Sequence, residues 1–134
     1  MDKNRIINYI ASIFFLLVTL FLGFIIILFF NTVYTMQMRG YNSLAHATLK
    51  NVYTATHIFF DKSLNDTITI SRLEETLKQE GFIQAIRDLD QDVQLIIESG
   101  KKDTLKMISF HIKGNRTFTI NSAGDIEGFS DDEQ

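Results

Sequence analysis

The chain of 134 residues contains no cysteine and no proline. Without cysteine it can form no disulfide, no thiolate metal site and no covalently attached c-type haem. The net charge is only −3, and acidic and basic residues are interspersed outside the apolar run. No basic patch of the kind that binds nucleic acid is present, so the sequence predicts no nucleic-acid partner.

Asp, Glu, Lys and Arg are all absent from the stretch Ile6 to Met38. Its denser part, Ile6 to Phe30, would form a helix ~37 Å long, against ~30 Å for the hydrocarbon core of a bilayer. Its interruptions are uncharged, and no proline forces a kink. The stretch therefore predicts a membrane-spanning helix whose first partner is the lipid bilayer.

A cleaved secretory signal is the alternative explanation, because Lys3 and Arg5 precede the apolar run. The apolar core of a signal peptide is ~7–15 residues long and ends at small residues, whereas this run is longer and continues into NTVYTMQ. An uncleaved signal anchor fits better. Lys3 and Arg5 on one side, against Arg39 on the other, predict a cytoplasmic N-terminus. We therefore expect a single-pass protein of the cytoplasmic (inner) membrane, with 1–38 as N-terminus and span and 39–134 as one extracytoplasmic domain.

The helix predicted for the span continues into the domain. Apolar and small residues recur there at three- and four-residue steps, at Ala45, Thr48, Val52, Ala55 and Phe59. One helix from Asn4 to about Lys62 is the simplest interpretation, with Gly40 as the place for it to bend or fray. A short helix follows, with Ser71 as N-cap and Gly81 as its left-handed stop. The next stretch, IQAIRDLDQD, fits either a loop or a helical turn.

From Val93 the apolar period changes to two, which is typical of strands. Pairing Ile97 with Ile108, Ile112 with Phe118 and Ile120 with Ile126 gives an antiparallel meander of three strands and a short fourth. We predict an α+β fold in which the long N-terminal helix, transmembrane and then amphipathic, packs on this 3-4-stranded sheet. The predicted domain core is Val52, Phe59, Leu95, Ile97, Ile108, Phe110, Ile112, Phe118 and Ile120.

The residues that could carry chemistry are scattered. His46 and His57 would lie ~16 Å apart along one helix and cannot share a metal. Asp88, Asp90 and Asp92 alternate as in a calcium loop but lack its glycine and distal Glu, so they predict a solvated loop. No nucleophile elbow or phosphate-binding glycine loop occurs. The sequence predicts no enzyme, no metal and no cofactor.

Three short patterns carry little information. Asn65 and Asn115 begin glycosylation sequons that chance explains, and Asn115 suits a left-handed turn. Thr19 and Gly23 form a small-x-x-x-small pair that would admit a neighbouring helix in the membrane. We therefore predict that helix–helix packing with neighbouring subunits centres on Thr19 and Gly23.

Three stretches resemble type IV pilins: YNSLAHATLKNVYTATHIFFDKS, LEETLKQEGF and RTFTINSAGDIEG. The first is similar to the family's segment after the membrane run, the second to its short segment ending in Gly-Phe, and the third to its closing strand and turn. The resemblance covers about Tyr41 to Gly128. It implies a long helix packed on an antiparallel sheet, and subunits that associate mainly through their apolar N-terminal helices.

The N-terminus departs from the family, which has a basic leader ending in Gly, a methylated Phe and a Glu at the fifth mature position. The Gly-Phe pair in the apolar run is Gly23-Phe24, in mid-span, and Leu28 stands at its fifth position. No prepilin peptidase site is recognisable. We expect the chain to keep its N-terminus and to stay in the membrane as a monomer or small oligomer.

Two functions follow as hypotheses. The first is a membrane-anchored, pilin-like structural or interaction subunit of a type IV pilus or type II secretion-like machine, contacting other pilin-like or membrane subunits through its N-terminal helix. The alternative is a stand-alone anchored extracytoplasmic domain that binds a ligand or partner. An anchored enzyme ranks third, because no catalytic constellation is visible.

Overall fold

The computed structural model describes residues 3–63 and 67–130, with side chains from residue 5. Its helices are α1 (Lys3–Lys62), α2 (Ile70–Gln79) and α3 (Ile83–Gln91), and its strands are β1 (Val93–Ser99), β2 (Lys106–His111), β3 (Arg116–Asn121) and β4 (Ile126–Ser130). A short 3₁₀ turn, Lys102–Thr104, joins β1 to β2. The chain divides into two compact units, a first up to Gln37 and a second from Met38.

The first unit is the apolar part of α1. Its described side chains are almost all exposed, including the large ones of Phe14, Phe15, Leu20 and Phe21. A water-soluble protein rarely leaves so much contiguous apolar surface uncovered. The described residues of this unit, 5–37, form no core of their own, so their surface is suited to an apolar surrounding.

In the second unit, the C-terminal part of α1 packs on one face of a four-stranded antiparallel sheet. The strand order is β1-β2-β3-β4, the predicted meander. The buried apolar side chains come from α1 (Ala45, Leu49, Val52, Ala55, Phe60), from α2 and α3 (Leu73, Leu77, Ala85), from the sheet (Val93, Met107, Phe118, Ile120) and from connections (Ile68, Leu105). The predicted α+β layout is confirmed.

The predicted core is correct for the helix and for β3 and wrong for β2. Val52, Phe118 and Ile120 are buried. Phe59, Leu95 and Ile97 are half-buried against the core.

Ile108, Phe110 and Ile112 do not belong to this core. Ile108 and Phe110 are half-buried on the sheet face that points away from α1, and Ile112 is 55% exposed. Met107, Ser109 and His111 face α1 in their place, and all three are buried.

The error lies in the strand register. The predicted pairing of Ile120 with Ile126 is confirmed. However, β1 pairs Ile97 with Met107 before its register shifts, and β2 pairs Phe110 with Thr117.

The β2–β3 connection is therefore residues 112–115, and Ile112, predicted to pair with Phe118, lies in it. The register differs from the predicted one by an odd number of residues, which turns β2 over. The small side chain of Ser109 allows this face of β2 to pack against α1. Its hydroxyl donates to the Ala45 carbonyl at 3.2 Å, so α1 lies close to β2.

The helix ends agree with the sequence in part. Gly81 has a φ of 77° and is the left-handed stop that the sequence predicts. The N-cap of α2 is Thr69 rather than Ser71, with no side-chain cap bond. The ambiguous stretch before β1 is helix α3, and α1 stays helical through Gly40, so fraying there is wrong.

Candidate functional site

The apolar part of α1 is the first candidate functional surface. By length and composition α1 is able to cross a membrane, and none of its most apolar window is buried. Thr19 is exposed there, and a Cβ added at Gly23 would meet no atom within 4 Å. Close approach of another helix is therefore sterically open at this pair, whose role in helix packing stays a prediction.

In this part of α1, the hydroxyls of Ser12, Thr19, Thr32 and Thr35 all bond within the helix. Ser12 and Thr19 donate to the carbonyls of Asn8 and Phe15, each at 2.9 Å. Thr32 and Thr35 donate in the same way to Leu28 and Asn31, also at 2.9 Å. A hydroxyl paired with its own backbone costs much less to place in hydrocarbon than a free one.

The beginning of the second unit holds the 112–115 loop through a pair of side-chain amides. Asn42 Nδ2 donates to Asn115 Oδ1 at 2.7 Å, and the Asn115 N–H donates to Asn42 Oδ1 at 3.1 Å. Gly114 is needed beside them, because a Cβ there would lie 2.7 Å from Asn42 Oδ1. Asn115 is not left-handed, contrary to the prediction, since no described non-glycine residue has a positive φ.

A buried carboxylate joins α1 to α3. Asp88 is 4% exposed; its Oδ2 accepts from the Thr48 hydroxyl at 3.0 Å and its Oδ1 from Gln84 Nε2 at 2.6 Å. The sequence pattern missed this contact, because Thr48 reads only as one member of a helical stripe. The residue has a structural role that its spacing does not reveal.

The predicted solvated loop of alternating Asp residues is therefore wrong. Asp88 is buried in α3, Asp90 is exposed, and Asp92 caps α3 while its Oδ2 accepts from Lys113 Nζ at 2.8 Å. This bond lowers the pKa of the Asp92 carboxyl. Asp88 and Asp92 have different partners, and the three carboxylates form no calcium loop.

The β3–β4 turn docks on α1 through Tyr53. The Tyr53 hydroxyl donates to the Ser122 carbonyl at 3.1 Å. Gly124 has a φ of 88°, and a Cβ added there would lie 3.0 Å from the Tyr53 hydroxyl oxygen. The turn is held internally by Asn121 Oδ1, which accepts from two backbone N–H groups. Burial, and secondarily Asp125, raise the pKa of Tyr53, so its hydroxyl remains a donor.

The three histidines make ring contacts. His46 meets Phe118 edge-on with ring centroids 5.3 Å apart, and His57 lies against Tyr53 at 4.4 Å. His111 stacks on Tyr41 at 4.4 Å. Within 3–63 and 67–130, no three His, Asp or Glu residues are grouped so that they could hold a metal ion.

The sheet surface that faces away from α1, here called the outer face, is apolar for part of its area. Ile96 is 48% exposed and Phe129 43% exposed, with Ile108 and Phe110 half-buried between them. Ile96 pairs with Ile108 across β1 and β2. The sequence assigned part of this surface to the core, so its exposure was not expected.

Comparison of the chain with protein-family models, with curated proteins and with solved structures finds no match. Of the two glycosylation candidates, Asn65 lies outside the described residues. Asn115 bonds to Asn42 through its side-chain oxygen and its backbone N–H.

Proposed function

We propose that this protein is a membrane-anchored, pilin-like structural or interaction subunit associated with a type IV pilus or a type II secretion-like machine. The observation that carries the proposal is the division of α1. One part exposes apolar side chains all around, and the part after Met38 supplies the helix on which a small antiparallel sheet is built.

The polar residues near the ends of the apolar part favour a transmembrane placement. Asn8 and Asn31 bound an uncharged run of residues 9–30, which as a helix measures ~33 Å and matches a hydrocarbon core of ~30 Å. Tyr9 and Tyr34 are exposed close to the two boundaries. Tyrosine is enriched at such depths, where the ring meets lipid and the hydroxyl meets water.

The contacts of the second unit favour a structural role over catalysis. The side chains of Asn42, Thr48 and Tyr53 each bond to a different later element, namely the 112–115 loop, α3 and the β3–β4 turn. These polar groups hold the sheet and α3 on the helix. They leave no convergent set of acid, base and nucleophile among themselves.

The residues behind the pilin resemblance take part in these contacts, which supports the family assignment. Tyr41 and Asn42 begin the first resembling stretch and bind β2 and its loop. Tyr53 lies in the same stretch and binds Ser122 of the closing turn. A resemblance located at the helix–sheet contacts is more informative than one located on the surface.

Membrane insertion and orientation are testable by cysteine labelling, because the chain has no cysteine of its own. We expect the single variant Lys102→Cys to react with a membrane-impermeant maleimide in intact cells, and Asn4→Cys to react only after the membrane is opened. Reaction of both in intact cells, or of neither, would contradict a single span with a cytoplasmic N-terminus.

Assembly is tested by shearing. We expect the protein to remain with the membrane fraction when surface filaments are sheared off, and its intact mass to match the unprocessed chain. Recovery mostly in long filaments, with loss of N-terminal residues and N-methylation, would instead identify a processed filament subunit.

The partner-binding alternative is favoured by one observation, the exposed Ile96 and Phe129 on the outer face. A photo-crosslinking residue at position 129 tests it. Specific crosslinks from 129 to one soluble protein, with none from position 23, would favour the binding domain over a subunit that associates through its helix.

A further inference from the structure

His111 is a buried imidazole at the end of β2. It is 5% exposed, and its ring stacks on Tyr41 of α1 with an interplanar angle of 27°. Its Nδ1 accepts a hydrogen bond from the Lys113 N–H at 3.1 Å. Its carbonyl accepts from the Gly114 N–H at 2.8 Å. The ring nitrogen Nδ1 and the carbonyl oxygen of His111 thus hold Lys113 and Gly114 of the 112–115 loop.

The bond to Lys113 requires the neutral ring. An imidazole nitrogen accepts a hydrogen bond only while it carries no proton, and both nitrogens are donors in the imidazolium form. In this loop the proton of neutral His111 therefore lies on Nε2. Protonation of Nδ1 would bring two N–H groups together and break the bond.

The charged and titratable groups around His111 come from four places. Tyr41 lies on α1, Asp92 follows α3, and Lys113 is in the loop itself. Arg116 begins β3 and, together with His111, lines a surface depression of about 340 Å³. Burial lowers the pKa of His111 below its ordinary 6.5; the Asp92 carboxylate opposes this, and Lys113 reinforces it.

We propose that His111 makes the 112–115 loop sensitive to acid, holding it closed while neutral and releasing the Lys113 amide when protonated. The ring face of Tyr41 can still attract an imidazolium, so the stacking contact survives. The Asn42–Asn115 amide pair does not titrate and survives as well. The response is confined to the loop, beginning at Lys113 and Gly114.

The sign follows from linkage. Because the Lys113 N–H bond to His111 Nδ1 forms only with the neutral ring, the open loop binds the proton more readily than the closed loop. The closed form is therefore fully favoured above the ordinary pKa of histidine and loses ground as the pH falls below it. Acidification releases the Lys113 amide, and neutral pH restores its bond to His111.

Amide exchange on the full chain in lipid nanodiscs tests the proposal. In the wild type we expect the protection of the Lys113 amide, corrected for intrinsic exchange, to fall several-fold between about pH 7.5 and about pH 5, the range in which histidine titrates. The fall should follow the titration of the His111 ring, read by ¹⁵N NMR. The same spectrum should show the proton on Nε2 at the higher pH.

Three variants separate this device from general acid sensitivity. His111→Asn keeps an acceptor near Nδ1 but cannot titrate, so its Lys113 protection should be independent of pH. His111→Phe keeps a ring against Tyr41 without an acceptor, so Lys113 should be unprotected at both pH values. His46→Phe removes a different histidine, a partly buried one on α1, and should keep the wild-type response.

The wild-type measurement alone can overturn the proposal. Protection at Lys113 that stays constant while His111 titrates would do so, as would a proton on Nδ1 at the higher pH. An unchanged acid response in His111→Asn would assign it to another group. None of these results would bear on membrane anchoring, which is tested separately.

Discussion

Asp88 is a single residue whose removal should weaken the second unit. Asp88→Ala would leave the buried Thr48 hydroxyl without its acceptor and Gln84 without its partner. We expect a loss of about 1–3 kcal/mol in the free energy of unfolding, the cost of a buried unsatisfied group. Denaturant unfolding of the full chain in detergent measures it.

The matched control for that experiment is Asp90→Ala. It removes an exposed carboxylate from the same helix and should change the stability by less than about 0.5 kcal/mol. Equal effects of the two substitutions would show that the Thr48 contact does not stabilise α3 on α1.

A second pair of substitutions tests which side of β2 faces the helix. Met107 is completely buried against α1, whereas Ile112, just past the end of β2, is 55% exposed. Met107→Ala should cost about 2–5 kcal/mol, as deletions in a core do, and Ile112→Ala less than about 0.5 kcal/mol. Thermal or denaturant unfolding distinguishes them. The reverse order would restore the strand pairing that the sequence predicts.

At the scale of elements, β2 shows what the sequence cannot decide. Its even positions, Ile108 and Phe110, are more apolar than Ser109 and His111, so hydrophobic alternation favours the wrong face. The structure buries Ser109 because its small side chain lets α1 approach and its hydroxyl finds the Ala45 carbonyl. The face of β2 that is buried depends on how closely α1 can approach, and the alternation of residues along the strand does not reveal that distance.

Three other features were predictable because their signals are local. The length of α1, the stop at Gly81 and the tight β3–β4 turn all follow from period and glycine position. The Thr48–Asp88 bond joins residues 40 apart, and nothing in either neighbourhood points to the other. Sequence patterns therefore predict the α+β layout but not the polar contacts between residues that are distant in the chain.

The connection between β1 and β2 depends on a close backbone approach at Gly100. The Gly100 carbonyl accepts from the Ile68 N–H at 2.8 Å, and a Cβ at Gly100 would lie 2.1 Å from the Ile68 carbonyl oxygen. Gly100→Ala should therefore destabilise the second unit by about 1–3 kcal/mol or more, as overpacking does. Unfolding in denaturant measures the loss.

Gly40→Ala is the opposite case and serves as its control. Gly40 is helical, and an added Cβ would meet nothing within 4 Å. Alanine should stabilise the helix by about 0.5–1 kcal/mol. A neutral Gly100→Ala would show that the Ile68 segment shifts freely, and a destabilising Gly40→Ala would show that this position is covered by a partner.

At the scale of the whole molecule, the proposed span predicts a position-dependent effect of charge. Phe21 lies in the middle of the apolar run, where a lysine costs about 2.5–3.5 kcal/mol of insertion free energy. Phe21→Lys should lower the fraction of protein that resists alkaline extraction from membranes. Phe129→Lys adds the same charge to an exposed site of the outer face and should leave that fraction unchanged; equal resistance of all three proteins would argue against a span.

The order of the strands has a consequence for how the chain acquires its structure during synthesis. Each strand pairs with its neighbour in sequence, so the sheet forms by successive hairpins, and such local pairing is fast. The helix, however, is made first, and the core around Leu49 and Val52 stays incomplete until Phe118 and Ile120 have been translated. During this interval the nascent chain can already be anchored while the apolar face of α1 around Leu49 and Val52 is still exposed. The rate of translation through β2 and β3 sets the length of the interval.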